Sequence, residues 1–408
     1  MSFLYHILIH FYSFAVNIFS LFNEKAKRWV DGRKNLLQHI QSTISSLDEI
    51  AWFHCASLGE YEQAKPVIEE LKKQQPTIKI LVTFFSPSGY EIRKDDPLLD
   101  YVFYLPIDTK YNAKQFLKIT NPKMAFFVKY EFWFNYINQL KENNVPTYLI
   151  SGVFRDNQLF FKWYGKWYKK VLYGFTHFFV QNNYSEQLLL ANKFTNVTLS
   201  GDTRFDRVYN NSIQQQKIPL IEKFKENSIL IIGGSTWQPE EKILADYSKL
   251  NSEQKLIIAP HDVSEKHIIE IEKLFQQKTL RYSQANDKNI ANTKILIIDS
   301  IGLLANIYQY SDIALIGGGF TGALHNILEP ASFGNVVLFG SKHQKFHEAD
   351  ELISANGGFS ISTSDDFNKK LALINSNINQ YKINSKNFIS NNKGATNRIF
   401  NKLNNYGK

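Results

Sequence analysis

Two rhythms of apolar and polar positions run along the chain. From Ile50 onward, short runs of β-branched and aromatic residues alternate with segments whose apolar positions fall three or four apart, the pattern of βα units around parallel sheets. Residues 51–54, 78–85, 124–128, 147–151 and 178–180 predict strands, and Tyr61, Ala64, Ile68 and Leu71 mark one face of an intervening helix. In the second half, 229–232, 255–259, 295–298, 313–316 and 336–339 are near-continuous apolar runs, as strands covered on both faces require. The fold class is therefore α/β, with two doubly wound, Rossmann-like domains. Asn210, Asn211 and Gln214 to Gln216 interrupt the apolar rhythm and place a linker there, giving domains 35–215 and 216–408. Ligands collect at the carboxyl ends of parallel strands, so two such domains predict a site in a central cleft between them. The stretch 375–405 has 11 Asn in 31 residues, which leaves helix and loop both open.

Residues 1–34 follow a different pattern. From Ser2 to Asn23 there is no Lys, Arg, Asp or Glu, and Phe3, Tyr5, Phe11, Tyr12, Phe14, Phe19 and Phe22 make the run aromatic. About 20 apolar residues span a bilayer core, so this is a membrane-associated helix by length. Lys25, Lys27, Arg28, Arg33 and Lys34 follow, a basic flank that keeps the next domain cytoplasmic and suits anionic headgroups. A cleaved signal peptide fits poorly, because its basic residues would precede the apolar run. The alternative is an amphipathic helix lying in the interface or covering a domain.

Length and composition narrow the function. A chain of 408 residues holds two or three domains, and 44% hydrophobic with 21% charged residues excludes a disordered chain. One cysteine forms no internal disulfide, and no paired CxxC or HExxH points to a metal, so metal-free chemistry without a cofactor is expected. Lys plus Arg exceeds Asp plus Glu by 47 − 38 = 9, which suits anionic partners such as nucleic acid, acidic lipid or a phosphorylated substrate.

Several strand-to-helix junctions carry candidate chemistry. His54-Cys55-Ala56-Ser57-Leu58-Gly59-Glu60 places a carboxylate in a helix's first turn, with Gly59 leaving room for close approach; Glu60 as a dipole-complementing carboxylate remains open. Glu131, in Lys129 to Asn135, follows another strand, and the pair could share acid–base work; Trp133 reads as core. Gly317-Gly318-Gly319-Phe320 and then His325 to Pro330 form a glycine loop with Glu329 one turn into a helix, suited to phosphate and ribose hydroxyls. A tight turn is the other reading, and neither a Walker lysine nor the six-position dinucleotide fingerprint is present. Ser235 and Thr236 occupy the equivalent place in the second domain's first βα unit, as phosphate ligands or helix caps, and His261 closes the next strand. Cys55 reads as packing.

Taken in order, these segments resemble the 3-deoxy-D-manno-octulosonic acid (Kdo) transferases. Trp52-Phe53-His54 through Ser57-Leu58-Gly59-Glu60 is similar to W-x-H-x-x-S-x-G-E, and Thr83 through Ser86-Pro87-Ser88-Gly89 to a Thr-rich T-P-x-G. Glu131-Phe132-Trp133-Phe134-Asn135 is similar to E-x-W-P-N with Phe134 for Pro, and Gly201 to Asp206 to G-N-x-K-F-D. Gly234-Ser235-Thr236 and His325 to Pro330 complete the set. The resemblance implies a GT-B type fold and transfer of Kdo from CMP-Kdo, a substrate rather than a cofactor, to the lipid A precursor, with inversion and no metal. It implies Glu60 as general base and Glu131 supporting the acceptor, with Ser57, Gly59 and Ser86 on the acceptor side. Ser235, Thr236, His261, Gly318, Gly319, Asn326 and Glu329 are implied on the donor side. Anionic lipids of the inner (cytoplasmic) membrane are the implied partners, with the domains on its cytoplasmic side and no nucleic acid. Many relatives have Pro-Arg-His where this chain reads Pro260-His261-Asp262, so a permanently charged phosphate contact is replaced. The competing readings are another GT-B nucleotide-sugar transferase, a sugar-nucleotide epimerase, or a membrane-tethered nucleic-acid or partner-binding protein.

Overall fold

The computed structural model describes residues 2–275 and 277–406. The chain divides into two compact units: residues up to Arg207 together with those from Gly394 on, and Val208 to Lys393.

The first unit is built on β1 (Ile50–Cys55), β2 (Lys79–Phe84), β3 (Tyr101–Tyr104), β4 (Met124–Val128), β5 (Thr147–Gly152), β6 (His177–Val180) and β7 (Val197–Leu199). They form one parallel sheet in the order β3-β2-β1-β4-β5-β6-β7. Strand β1 pairs with β2 on one side and β4 on the other, with His54 opposite Thr83 and Phe127. Side chains alternate across the sheet: Trp52, Leu81 and Phe127 enter one core, and Phe53, Val82 and Phe126 the other. The helices of this unit that bear on the site are α1 (Ser2–Phe19), α2 (Glu24–Asp31), α3 (Leu36–Thr43), α4 (Leu58–Gln74), α5 (Pro87–Arg93), α6 (Lys110–Thr120) and α7 (Phe134–Glu142).

The second unit repeats the plan with β8 (Leu230–Thr236), β9 (Lys255–Pro260), β10 (Thr279–Arg281), β11 (Ile295–Ile297), β12 (Ile313–Ile316), β13 (Val336–Gly340) and β14 (Gly358–Ile361). Its parallel sheet has the order β10-β11-β9-β8-β12-β13-β14.

The observed division differs from the sequence reading, which put the boundary at 215/216 and the whole C-terminus in the second domain. The chain end returns to the first unit because Asp206 anchors it. Its carboxylate accepts hydrogen bonds from Thr396 N and Oγ1, both at 2.7 Å, and from Gly394 N. Ile399 and Phe400 of helix Ala395–Tyr406 then pack into the first unit's core. The G-N-x-K-F-D-like segment is thus largely structural: Asp202 pairs with Arg204 and accepts from Gln63, and Thr203 Oγ1 donates to Gln63 O at 2.6 Å. The Asn-rich stretch forms helices Ile378–Asn392 and Ala395–Tyr406.

The N-terminal run corrects a second expectation. Among the described residues no helix is long and apolar enough to cross a membrane. α1 stops at Phe19 and lies against the first unit along one face. Tyr5 donates its hydroxyl to the buried carboxylate of Asp108 at 2.5 Å, and Tyr12 stacks on Phe85 and meets Trp29 edge-on. A helix that uses polar tips for docking is amphipathic rather than uniformly apolar. Arg33, read as part of a headgroup-binding flank, turns inward instead. It donates to the carbonyls of Trp29, Phe85 and Leu105 at 2.9–3.0 Å and lies 4.0 Å over the Trp29 ring. Burial lowers its proton affinity, but three carbonyl acceptors and the ring faces favour the cation.

Candidate active site

In the first sheet the strand order reverses direction between β1 and β4, where crossovers run to opposite sides and leave a crevice at the carboxyl ends. Glu60 lies just beyond β1 at the start of α4, and Glu131 just beyond β4. Both charges reach Cys55 at the end of β1: burial first, then Glu60 and Glu131, push its thiol well above the ordinary value. The fully buried thiol packs in the core, with both carboxylates near the same strand end.

Glu131 sits at the end of a buried hydrogen-bonded chain. Trp52 Nε1 donates to Thr83 Oγ1 at 2.8 Å, and His54 Nδ1 lies 2.9 Å from that hydroxyl and 3.1 Å from the Thr83 carbonyl. Trp133 Nε1 reaches His54 Nε2 at 2.9 Å and Glu131 Oε2 at 2.7 Å, and the two acceptors are 3.2 Å apart. The Nδ1–H tautomer of His54 satisfies these partners, donating to the Thr83 carbonyl and accepting the indole N–H. His54 is fully buried, whereas the Glu131 side chain keeps 14% exposure. The arrangement holds one carboxylate at the rim against a rigid interior. Trp133, which the sequence reads as core, therefore has a polar task that residue type alone does not reveal.

Glu60 is placed differently. Its Oε2 accepts from Ser57 N at 3.0 Å and from the Ser57 hydroxyl, so in this conformation the carboxylate folds back over its own helix start. Gly59 is exposed, and a Cβ there would meet only Ser57 Oγ at 3.8 Å. The adjoining loop is tied in by Ser86 N donating to Ala56 O at 2.8 Å. Gly89 allows α5 to approach, since a Cβ would lie 2.3 Å from the Phe84 ring. Ser57, Gly59, Glu60 and Ser86 thus share one loop cluster at the carboxyl edge. Asp108, which no motif singles out, accepts from the N–H groups of Asn135 and Tyr136, both at 3.1 Å, and fixes the start of α7 behind Glu131.

The second unit's candidates lie beyond β8, β9 and β12. Trp237 stacks on His261 and His261 on His325, each with ring centroids 4.6 Å apart, and Trp237 Nε1 donates to His325 Nε2 at 3.3 Å. Burial, then the neighbouring His261, lowers the His325 imidazole below its usual range. Asn326 Nδ2 donates to Glu329 Oε1 at 3.0 Å, which joins the two proposed nucleotide contacts.

The glycine loop is dictated by backbone packing. A Cβ on Gly317 would fall 1.9 Å from Ser235 O, and one on Gly319 2.3 Å from Gly340 N; Gly318 has φ +84°. The Gly318 N–H, expected to meet phosphate, donates to Glu240 Oε1 at 3.0 Å. Thr236 departs from expectation in the same way: its side chain is buried and its hydroxyl donates to Glu241 at 3.1 Å. Ser235, at φ 50°, keeps partial exposure on that loop.

Residues 28–207 match the family model described as 3-deoxy-D-manno-octulosonic-acid transferase (kdotransferase). The chain is 28% identical over 377 residues to a bifunctional glycosyltransferase/methyltransferase of Fusobacterium nucleatum, covering 86% of this chain and 56% of that protein. The chain therefore spans little more than half of that relative's length. It is 25% identical over 400 residues to the 3-deoxy-D-manno-octulosonic acid transferase of Rickettsia prowazekii, covering 94% of this chain and 86% of that one. Among solved structures, the UDP-GlcNAc 2-epimerase of Neisseria meningitidis, bound to UDP-GlcNAc, superposes with a TM-score of 0.62 at 16% identity, over 88% of this chain and 99% of that one. That likeness concerns the fold alone, two parallel-sheet α/β domains of GT-B-like design. Over most of its length the chain is thus similar to proteins described as 3-deoxy-D-manno-octulosonic acid transferases.

Proposed function

We propose that the chain transfers Kdo from CMP-Kdo to the lipid A precursor, lipid IVA, in lipopolysaccharide biosynthesis, by an inverting reaction that needs no metal. The observation that carries this reading is the placement of Glu60 and Glu131 beyond the adjacent strands β1 and β4 at the first sheet's switch point. Glu60 takes the proton from an acceptor hydroxyl as that oxygen bonds to the anomeric carbon. The bond from that carbon to the CMP oxygen breaks, and its electron pair leaves with CMP. The Ser57 hydroxyl must first swing away from Glu60. Glu131, held by Trp133, orients the acceptor. In the second unit, Glu329 and Asn326 take the ribose hydroxyls, and the Trp237-His261-His325 stack with Ser235 meets the base and phosphate. His261 stands where many relatives have arginine.

The same reading places the protein on the cytoplasmic face of the inner membrane. The support is α1, whose face away from the docked one exposes Phe3, Phe11 and Phe14, with the cationic residues Lys25 and Lys27 following in α2. The deciding experiment incubates purified protein and detergent-solubilised lipid IVA with CMP-Kdo or with UDP-sugars and follows products chromatographically. Consumption of CMP-Kdo with a Kdo-bearing lipid product supports the reading; consumption of a UDP-sugar alone replaces it with another nucleotide-sugar activity.

A further inference from the structure

A cavity of about 350 Å3 opens between α1, α2 and the loop after β2. Its walls are Tyr12, Val16 and Phe19 of α1, Ala26 and Trp29 of α2, and Phe85. The volume falls at the lower end of ordinary ligand sites, roughly 300–1,000 Å3, and the lining is overwhelmingly apolar. Against these walls a sugar would give up hydrogen bonds to water, which an acyl chain does not make. Asn23, Lys25 and Ser86 add polar groups to the lining.

The pocket is held in shape. Tyr12, Trp29 and Phe85 contact one another with centroids 5.7–6.2 Å apart. Arg33 clamps two of them through the carbonyls of Trp29 and Phe85. It is also continuous with the candidate active site. The Phe85 ring packs 4.9 Å from Trp133, whose N–H holds Glu131, and Ser86 is bonded to Ala56 in the Glu60 loop. Phe19, one of its walls, is also exposed at the end of α1. An apolar chain passing Phe19 therefore reaches the walls of the pocket, with Lys25 and Ser86 in its lining for an attached head group.

We infer that this pocket binds one acyl chain of the acceptor lipid, so that α1 forms part of the acceptor site and does more than attach the protein to a surface. The inference rests on the lipid-acceptor reading above. Lys25 complements an anionic head group, and the hydroxyl to be glycosylated is delivered to the side of Phe85 on which Trp133 and Glu131 lie. A chain of bulk membrane lipid has the same chemistry, but only the acceptor benefits from the pocket's continuity with Glu131.

The test uses full-length protein, CMP-Kdo, and two acceptors: the acylated lipid and the same phosphorylated glucosamine disaccharide without acyl chains. Wild type should show a KM for the stripped acceptor at least about tenfold higher, since a buried chain contributes well over 1.4 kcal/mol. Ala26→Phe fills the pocket from α2, and Val16→Trp fills it from α1 should the first variant unfold. Either should raise KM for the acylated acceptor about tenfold, leaving donor KM, turnover of the stripped acceptor and cosedimentation with phosphatidylglycerol vesicles unchanged. Equal losses on both acceptors would overturn the inference, as would vesicle binding lost in step with acylated-acceptor use or equal wild-type use of both acceptors. Each of these outcomes leaves Kdo transfer standing. Failure of wild type to transfer Kdo to either acceptor removes the functional reading and this inference together.

Discussion

Trp133 donates its indole N–H to Glu131 Oε2 at 2.7 Å while also reaching His54 Nε2 at 2.9 Å. One side chain thus ties the rim carboxylate to the buried Thr83–Trp52 pair. Trp133→Phe keeps the ring and removes the donor. A hydrogen bond to a charged group is worth about 1.5–3 kcal/mol. Turnover should therefore fall roughly tenfold or more, with donor KM unchanged, as steady-state kinetics will show. Unaltered kcat would mean that Glu131 needs no such support.

Glu60→Gln keeps the shape of the loop but removes the proton acceptor. CMP-Kdo binding, measured by calorimetry, should persist, and transfer should fall at least about a hundredfold, the usual scale for a lost general base. Near-normal turnover would return Glu60 to a helix-capping role.

Gly59 separates stability from chemistry. It occupies the first turn of α4 with open space around it. Gly59→Ala should raise unfolding stability by roughly 0.5–1 kcal/mol through helix propensity. If acceptor approaches Glu60 here, the same methyl group should raise acceptor KM. A variant both more stable and fully active would show that nothing approaches at Gly59.

Asp108 gives the first unit a pH dependence of known sign. Burial is the dominant cause and outweighs the Tyr5, Asn135 and Tyr136 donors, so the carboxyl is pushed up to about 6. The folded value exceeds the unfolded one, about 3.9, so this group's contribution is complete below about pH 4 and is lost as pH rises through about 6. Asp108→Asn abolishes that titration. The stability of wild type relative to the variant should decline between pH 4 and 6.5 by on the order of 2–3 kcal/mol, read from urea midpoints. A difference independent of pH would contradict the assignment.

Asp206 is the anchor of the C-terminal return. Asp206→Ala leaves the N–H groups of Gly394 and Thr396 and the Thr396 hydroxyl without their acceptor. A cost of roughly 2–4 kcal/mol follows. Limited proteolysis should then cut near Gly394 sooner than in wild type; equal resistance would show that Ile399 and Phe400 hold the helix unaided.

Among the described residues, ten of the fourteen strands are legible in the chain because they are central: covered on both faces, they must be apolar throughout. The four that the pattern misses, β3, β7, β10 and β14, are the four sheet edges. They are three or four residues long and partly exposed, so composition does not single them out.

The candidate site divides along a similar line. That Glu60, Glu131 and Glu329 stand at strand-to-helix junctions is local information, carried by apolar runs followed by Gly, Ser and acidic residues. Whether a given polar group is available for chemistry depends on partners far away in sequence. The Gly318 N–H is consumed by Glu240, Arg33 by the carbonyls of Phe85 and Leu105, and the Trp133 N–H is engaged by His54. The N-terminal segment shows the same limit: its hydrophobicity is written in the chain, but only the Tyr5–Asp108 bond and the ring of Tyr12, Trp29 and Phe85 make it a docked helix. Periodicity determines which elements form, because burial acts on each segment's own pattern. Tertiary structure decides which donors and carboxylates remain for a substrate, because hydrogen bonds inside the fold are satisfied by residues dozens of positions away.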